Sequence, residues 1–136
     1  MLTASRFHVT RLMVVLCALA LGCAQEESQK RYHVSGTVTH EGNPVSVGTI
    51  QFRPDSMQGN SGPPGFADIK EGKFDTKLSG KGTIGGPHLV TIDAFDGQNI
   101  DPDIRPNGDT FVSGYQQKID LEKESETQLT LELTTK

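Results

Sequence analysis

Tryptophan is absent from this 136-residue chain, and there are only two tyrosines, four histidines and two cysteines. So few thiols exclude a scaffold stapled by disulfides. Long apolar stretches are missing as well: the longest uncharged apolar run, residues 12–24, has 13 residues, whereas a helix needs about 20 to cross the hydrocarbon layer of a membrane. Beyond residue 31 no stretch places apolar residues at helical spacing over eleven or more positions, which argues against a helical bundle. Basic residues are in short supply, with 13 Lys and Arg against 17 Asp and Glu, a net charge of −4. Nucleic acid and anionic lipid both require basic surface, so no nucleic-acid partner is expected.

What is present begins with Arg6, His8 and Arg11 and no acid. Then come Leu12-Met-Val-Val-Leu-Cys-Ala-Leu-Ala-Leu-Gly22 and, after Cys23 and Ala24, an abrupt change to Gln25-Glu-Glu-Ser-Gln-Lys30. A basic stretch, a short apolar stretch and a switch to polar residues are the parts of a secretory signal. Two endings compete. Ala18-Leu19-Ala20 offers ordinary signal peptidase its small-residue pattern, and Leu19-Ala20-Leu21-Gly22-Cys23 resembles the lipobox of bacterial lipoproteins. The commonest lipobox has Leu three before the Cys and a small residue two before it; here those positions hold Ala20 and Leu21. Cysteine arithmetic favours the lipobox, because Cys17 falls in the discarded segment and Cys23 is then the one thiol left.

The resemblance implies that residues 1–22 are a signal peptide and that Cys23 is lipidated, with palmitate among its acyl chains. Acyl chains contribute about 0.8 kcal/mol per buried methylene, enough together to anchor the chain to a membrane without a spanning helix. The expected location is the cell envelope, and Ala24 in place of Asp after the cysteine points to the outer membrane. Removing residues 1–22 leaves 11 basic against 17 acidic residues, a charge of −6. Residues 23–31 then read as lipidated terminus and tether, and residues 32–136 as a single domain.

From Tyr32 onward the pattern has period two. Val34, Gly36 and Val38 alternate with polar neighbours, as do Leu129, Leu131 and Leu133, while Ile119 and Leu121 form a shorter alternation. Residues 45–53, 66–69, 74–78 and 88–95 supply further strand candidates between Gly, Pro, Asn and Asp clusters. Glu41-Gly42-Asn43-Pro44 and Lys70-Glu71-Gly72-Lys73 predict hairpin turns, the second bringing Phe74 back beside Phe66. Val90, Ile92 and Ala94 are expected on the buried side of their strand. Seven short antiparallel strands predict an all-β sandwich, immunoglobulin-like in its architecture. Two polar segments, residues 54–64 and 96–108, interrupt the strands as long loops.

Val34-Ser-Gly36-Thr-Val38, Gly42-Asn-Pro44-Val45, Gly48-Thr-Ile-Gln-Phe52, Glu71-Gly72-Lys-Phe74 and Gly86-Pro87-His-Leu-Val90 resemble the carboxypeptidase regulatory-like domains of bacterial lipoproteins. That resemblance covers about 100 residues and implies a transthyretin-like sandwich without enzymatic activity, an envelope module that binds a protein or glycan. Transthyretin-like hydrolases carry a C-terminal Tyr-Arg-Gly-Ser motif, whereas this chain ends Leu-Glu-Leu-Thr-Thr-Lys136, so hydrolysis is the less favoured reading. Intradiol dioxygenases hold iron through two Tyr and two His; Tyr32, Tyr115, His33, His40 and His88 do not match that spacing.

No nucleophile, base and orienting group are recognisable together, so no catalytic residue and no cofactor is assigned. Gly80-Lys-Gly82-Thr-Ile-Gly85 fits the dinucleotide fingerprint literally, but Pro87 and a strand follow where a helix would have to open. Asp93, Asp96, Asn99, Asp101, Asp103 and Asp109 form the densest group of oxygen ligands. Calcium is bound by six to eight such oxygens, so a calcium- or small-ligand-binding lipoprotein using residues 93–109 is the alternative reading, with Asp96, Asp101 and Asp103 as its candidate ligands. The order does not fit an EF-hand, and Asp and Asn are also common in turns for local reasons.

Overall fold

The computed structural model describes residues 29–134, so the signal-like segment 1–22 and Cys23 lie outside the described residues. Period-two patterning becomes nine strands: β1 (His33–His40), β2 (Asn43–Pro44), β3 (Val47–Pro54), β4 (Gly65–Lys70), β5 (Lys73–Asp75), β6 (Gly80–Lys81), β7 (Gly86–Phe95), β8 (Thr110–Leu121) and β9 (Glu126–Leu133). A short 3₁₀ turn, Ser56–Gln58, is the one helical element among the described residues. Seven of the strands have three or more residues, matching the number read from the sequence, and β2 and β6 are two-residue additions.

Seven of the eight pairings are antiparallel. The eighth corrects the expectation of an antiparallel fold: β9 runs parallel to β1 from His33↔Glu126 to His40↔Leu133. Strands in direct succession reverse through short turns, but β1 and β9 are separated by most of the domain and no turn dictates their direction. The contact is close because residue 36 is glycine: a Cβ there would collide with the Leu129 carbonyl. β9 lies on one side of β1, with β2 and β5 on the other, and the sheet continues through β4, β3 and β7 to β8. It curls so that the far edges meet. The Tyr115 hydroxyl on β8 donates to the Glu132 carbonyl on β9 at 3.3 Å, and the rings of His40 and Phe111 lie 5.2 Å apart.

One core fills the inside of the curl. Val34 and Val38 of β1, Ile50 and Phe52 of β3, Ala67 and Ile69 of β4, and Leu131 and Leu133 of β9 are buried together. Val90, Ile92 and Ala94 are buried on β7, as their alternation predicts. Full burial of a side chain such as Ile50 or Phe52 stabilises the fold by roughly 2 kcal/mol.

Both predicted hairpin turns form. Glu41 and Gly42 have φ of 51° and 77°, and Glu71 and Gly72 have φ of 49° and 73°, the pair of positive values that a two-residue type I′ turn requires. The second turn corrects one contact: it sets Phe74 opposite Ile69 on the buried side, whereas Phe66 faces outward and is 47% exposed. Parity decides this, since Phe66 and Ile69 are three apart and lie on opposite faces. The strand expected over residues 74–78 ends at Asp75, whose carboxylate accepts the Lys77 amide at 2.7 Å and starts a turn. β8 is far longer than the alternation of Ile119 and Leu121 suggests. Its middle is interrupted by Gly114, at φ 65°, and the register against β7 shifts nearby.

Candidate functional site

A groove of about 870 Å³ lies over β1, on the sheet face turned away from the core. Ser35 and Thr37 of β1 point into it. On one side Gln128 and Thr130 of β9 stand opposite them, and on the other Asp75 and Lys73 of β5. The tight turn at Glu71-Gly72 fixes the next strand, pairing Lys70 with Lys73 and Ile69 with Phe74; there the β4–β5 pairing ends, and the Asp68 amide beyond it donates to the Ser79 hydroxyl at 3.2 Å. Two lysines thus stand side by side, and Asp68 and Asp75 also line the groove. Cross-strand neighbours have Cβ atoms about 5 Å apart, and like charges placed so are destabilising.

The three ion pairs among the described residues are Lys77–Glu126, Arg105–Asp109 and Lys118–Asp55, so none of these four charges is neutralised by one. Leu78, in the turn after β5, is 83% exposed at the rim of the groove. Lys77 reaches across to Glu126 of β9 at 3.5 Å near its end. Hydroxyls, an amide, an apolar rim, two lysines and two aspartates therefore converge on one concave surface. Sequence reasoning missed this site, although Lys70-Glu71-Gly72-Lys73 held part of the signal: a two-residue turn pairs the lysines.

The Asp-rich segment is arranged differently. Asp96 accepts the Gln98 amide at 2.9 Å and the Asp109 amide at 2.8 Å, and Asp101 accepts the Asp103 amide at 3.0 Å. Asp93 accepts the Gly114 amide at 2.8 Å, and Asp109 pairs with Arg105 at 2.8 Å. These carboxylates cap backbone N–H groups and knit residues 96–108 into an ordered excursion between β7 and β8, as Asp does in turns. Among the described residues no three or more His, Cys, Asp or Glu side chains are gathered to hold a metal ion, so Asp96, Asp101 and Asp103 are not brought together as a ligand set.

The histidines are equally dispersed. His88 is buried in β7, and its Nδ1 donates to the Gly86 carbonyl at 2.8 Å, a structural role. His40 packs against Phe111, and His33 opens β1. Gly80-Lys-Gly82-Thr-Ile-Gly85 carries β6 and the approach to β7, with no helix to receive a phosphate. The 54–64 loop is also pinned. Asp55 caps the 3₁₀ turn through the Met57 amide at 3.1 Å, and Asn60 donates to the carbonyls of Gly85 and Pro87 at 3.0 and 2.8 Å.

Two carboxylates have their acidity raised. The Gln58 side-chain amide, with the Met57 amide and the Lys118 ammonium, holds Asp55 below its ordinary value against the opposing effect of desolvation. The Thr39 hydroxyl, with the Gly42 amide, does the same for Glu132 and ties the end of β9 to the first hairpin.

Compared with models of known protein families, with characterised proteins and with solved structures, the chain finds no match.

Proposed function

We propose that the protein is an exported lipoprotein of the cell envelope, anchored through acylated Cys23, whose transthyretin-like sandwich of the carboxypeptidase regulatory-like kind binds a ligand without catalysing a reaction. The observation that carries this reading is the apolar run ending in Gly22-Cys23, with Cys23 the one thiol beyond the signal-like segment. Residues 24–31, the remaining tether, span about 28 Å at most when extended. Their last member supports the arrangement: Arg31 donates to the Gly82 carbonyl at 2.6 Å and to the Pro64 carbonyl at 3.2 Å. The tether therefore joins the domain at the end of the sheet where β1 begins, and the groove opens at Ser35, only a few residues further on. An anchor at Cys23 keeps that groove close to a membrane surface, with the outer membrane favoured by Ala24.

Metabolic labelling with radioactive palmitate tests the anchor. The full chain is expected to take up label and to partition into the membrane fraction, and the Cys23→Ser variant to take up none. Label retained by Cys23→Ser would overturn the proposal.

A further inference from the structure

The groove over β1 continues across β4, because Asp68 lines both it and a shallower depression of about 270 Å³ on the outward face of β4, β3 and β7. Strand pairing sets out the floor of that depression in two rows. Phe66, Gln51 and Thr91 stand abreast on the three strands, and one two-residue step along them Asp68, Thr49 and Asp93 stand abreast in the same way. Phe66 is 47% exposed here, whereas Phe52 and Phe74 pack their rings together in the core. The far end of the second row is held by β8. Ile92 pairs with Tyr115 and Ala94 with Val112, so Asp93 alone faces two residues, Ser113 and Gly114. Such a bulge re-aims side chains, and here it clamps one. The Gly114 amide and the Ser113 hydroxyl both donate to Asp93 Oδ1, at 2.8 and 3.2 Å, which leaves Oδ2 to meet a ligand.

The chemistry of this floor selects a class of ligand. Two carboxylates line it and no cation does, since Arg53, Lys70 and Lys81 lie outside it, so an anion finds no match. Carboxylates, hydroxyls and an amide together accept more hydrogen bonds than they donate, which suits a neutral ligand dense in O–H groups. The Phe66 ring adds a face of negative charge density that attracts C–H bonds laid flat upon it. A sugar ring combines both properties, with hydroxyls around its rim and C–H bonds on its faces. Asp68 and Asp93 stand two strand spacings apart, about 10 Å, a span that a sugar ring bridges with a hydrogen bond of about 2.7 Å at each side.

We propose that this face binds a neutral saccharide of at least two rings, one stacked on Phe66 and its neighbour hydrogen-bonded between Asp68 and Asp93. This inference rests on the reading of the domain as a binding module and names the class of ligand.

The chain has no tryptophan, so Phe66→Trp places a single fluorophore on the platform and gives the test its readout. The full-length variant, in a detergent without a sugar headgroup, is titrated with cellobiose, chitobiose and maltose. At least one of them is expected to change the emission with a Kd of roughly a few millimolar, as suits a shallow site, and glucose to bind about tenfold more weakly. Sorbitol, a polyol without a ring face, should give no response. Calorimetric titration of the unsubstituted chain with the same disaccharide checks that the site is not a product of the tryptophan. Against that reference Phe66→Ala should lose about tenfold and Asp68→Asn about threefold; both positions are exposed, and circular dichroism confirms the fold of each variant. No response to any of the three disaccharides up to about 50 mM, or unchanged binding by Phe66→Ala, would overturn the inference. So would binding of spermidine in their place, since the face would then be reading positive charge. Palmitate labelling of the same preparation reports separately on the anchor, so failure of the saccharide and failure of the lipoprotein reading give different results.

Discussion

The 96–108 excursion and the groove over β1 are both rich in aspartate, and their carboxylates meet different partners. Asp96, Asp101 and Asp109 are engaged by backbone amides or by Arg105, so each holds its own loop in shape. Asp68 and Asp75 line the groove without an ion pair, beside a lysine pair in the same condition, and the Asp75 carboxylate also accepts the Lys77 amide. The density of acids along a sequence is therefore a poor guide to a site. What each carboxylate touches after folding is the informative quantity.

The largest way to break the comparison is to remove one wall of the groove and leave the loop alone. Gly36→Val should force β9 away from β1, because even a single Cβ meets the Leu129 carbonyl. A loss of about 3 kcal/mol is expected in a urea titration, the upper range for overpacking a close contact. Asp96→Ala should cost about 1 kcal/mol in the same assay, the usual effect of deleting a side chain that caps backbone amides. The acid limb adds a further check. Asp55 and Glu132 are both held below the ordinary carboxylate value, near 4. Their stabilisation is complete above that pH and is lost as pH falls through their lowered folded values. The melting temperature should hold from pH 7 to about 5 and fall below about 4, and Asp55→Asn with Glu132→Gln should flatten that fall. The smallest effect is the most discriminating. Asp68→Asn removes an exposed carboxylate with no ion pair and should change stability by less than about 0.5 kcal/mol, against the larger loss for Asp96→Ala. A larger loss on Asp68→Asn would show that the groove carboxylates, like those of the loop, are structural.

Local rules made much of the fold legible before any coordinates. Alternation located most of the long strands, Glu-Gly dipeptides located the two tight turns, and period two placed Val90, Ile92 and Ala94 in the core. Three features escaped because they depend on distant parts of the chain or on interruptions. The direction of β9 is set by packing against β1 and by the bare backbone at Gly36, which no neighbouring residue encodes. The length of β8 is masked by Gly114 and its shifted register. Phe66 attracted attention as a large apolar residue, yet its parity turns it outward. The groove was half legible: the lysine pairing follows from one turn, but its second wall comes from β9 and becomes visible only when the ends of the domain are brought together.

The parallel joining of the first and last strands has a consequence in time. β1 finds its full-length neighbour only after β9 has been made, and contacts of such high sequence separation form slowly because a long loop must close before they stabilise anything. Until then Val34 and Val38 lack the cover of Leu131 and Leu133, and the groove has one wall. The groove over β1 is therefore completed only by the arrival of the final strand.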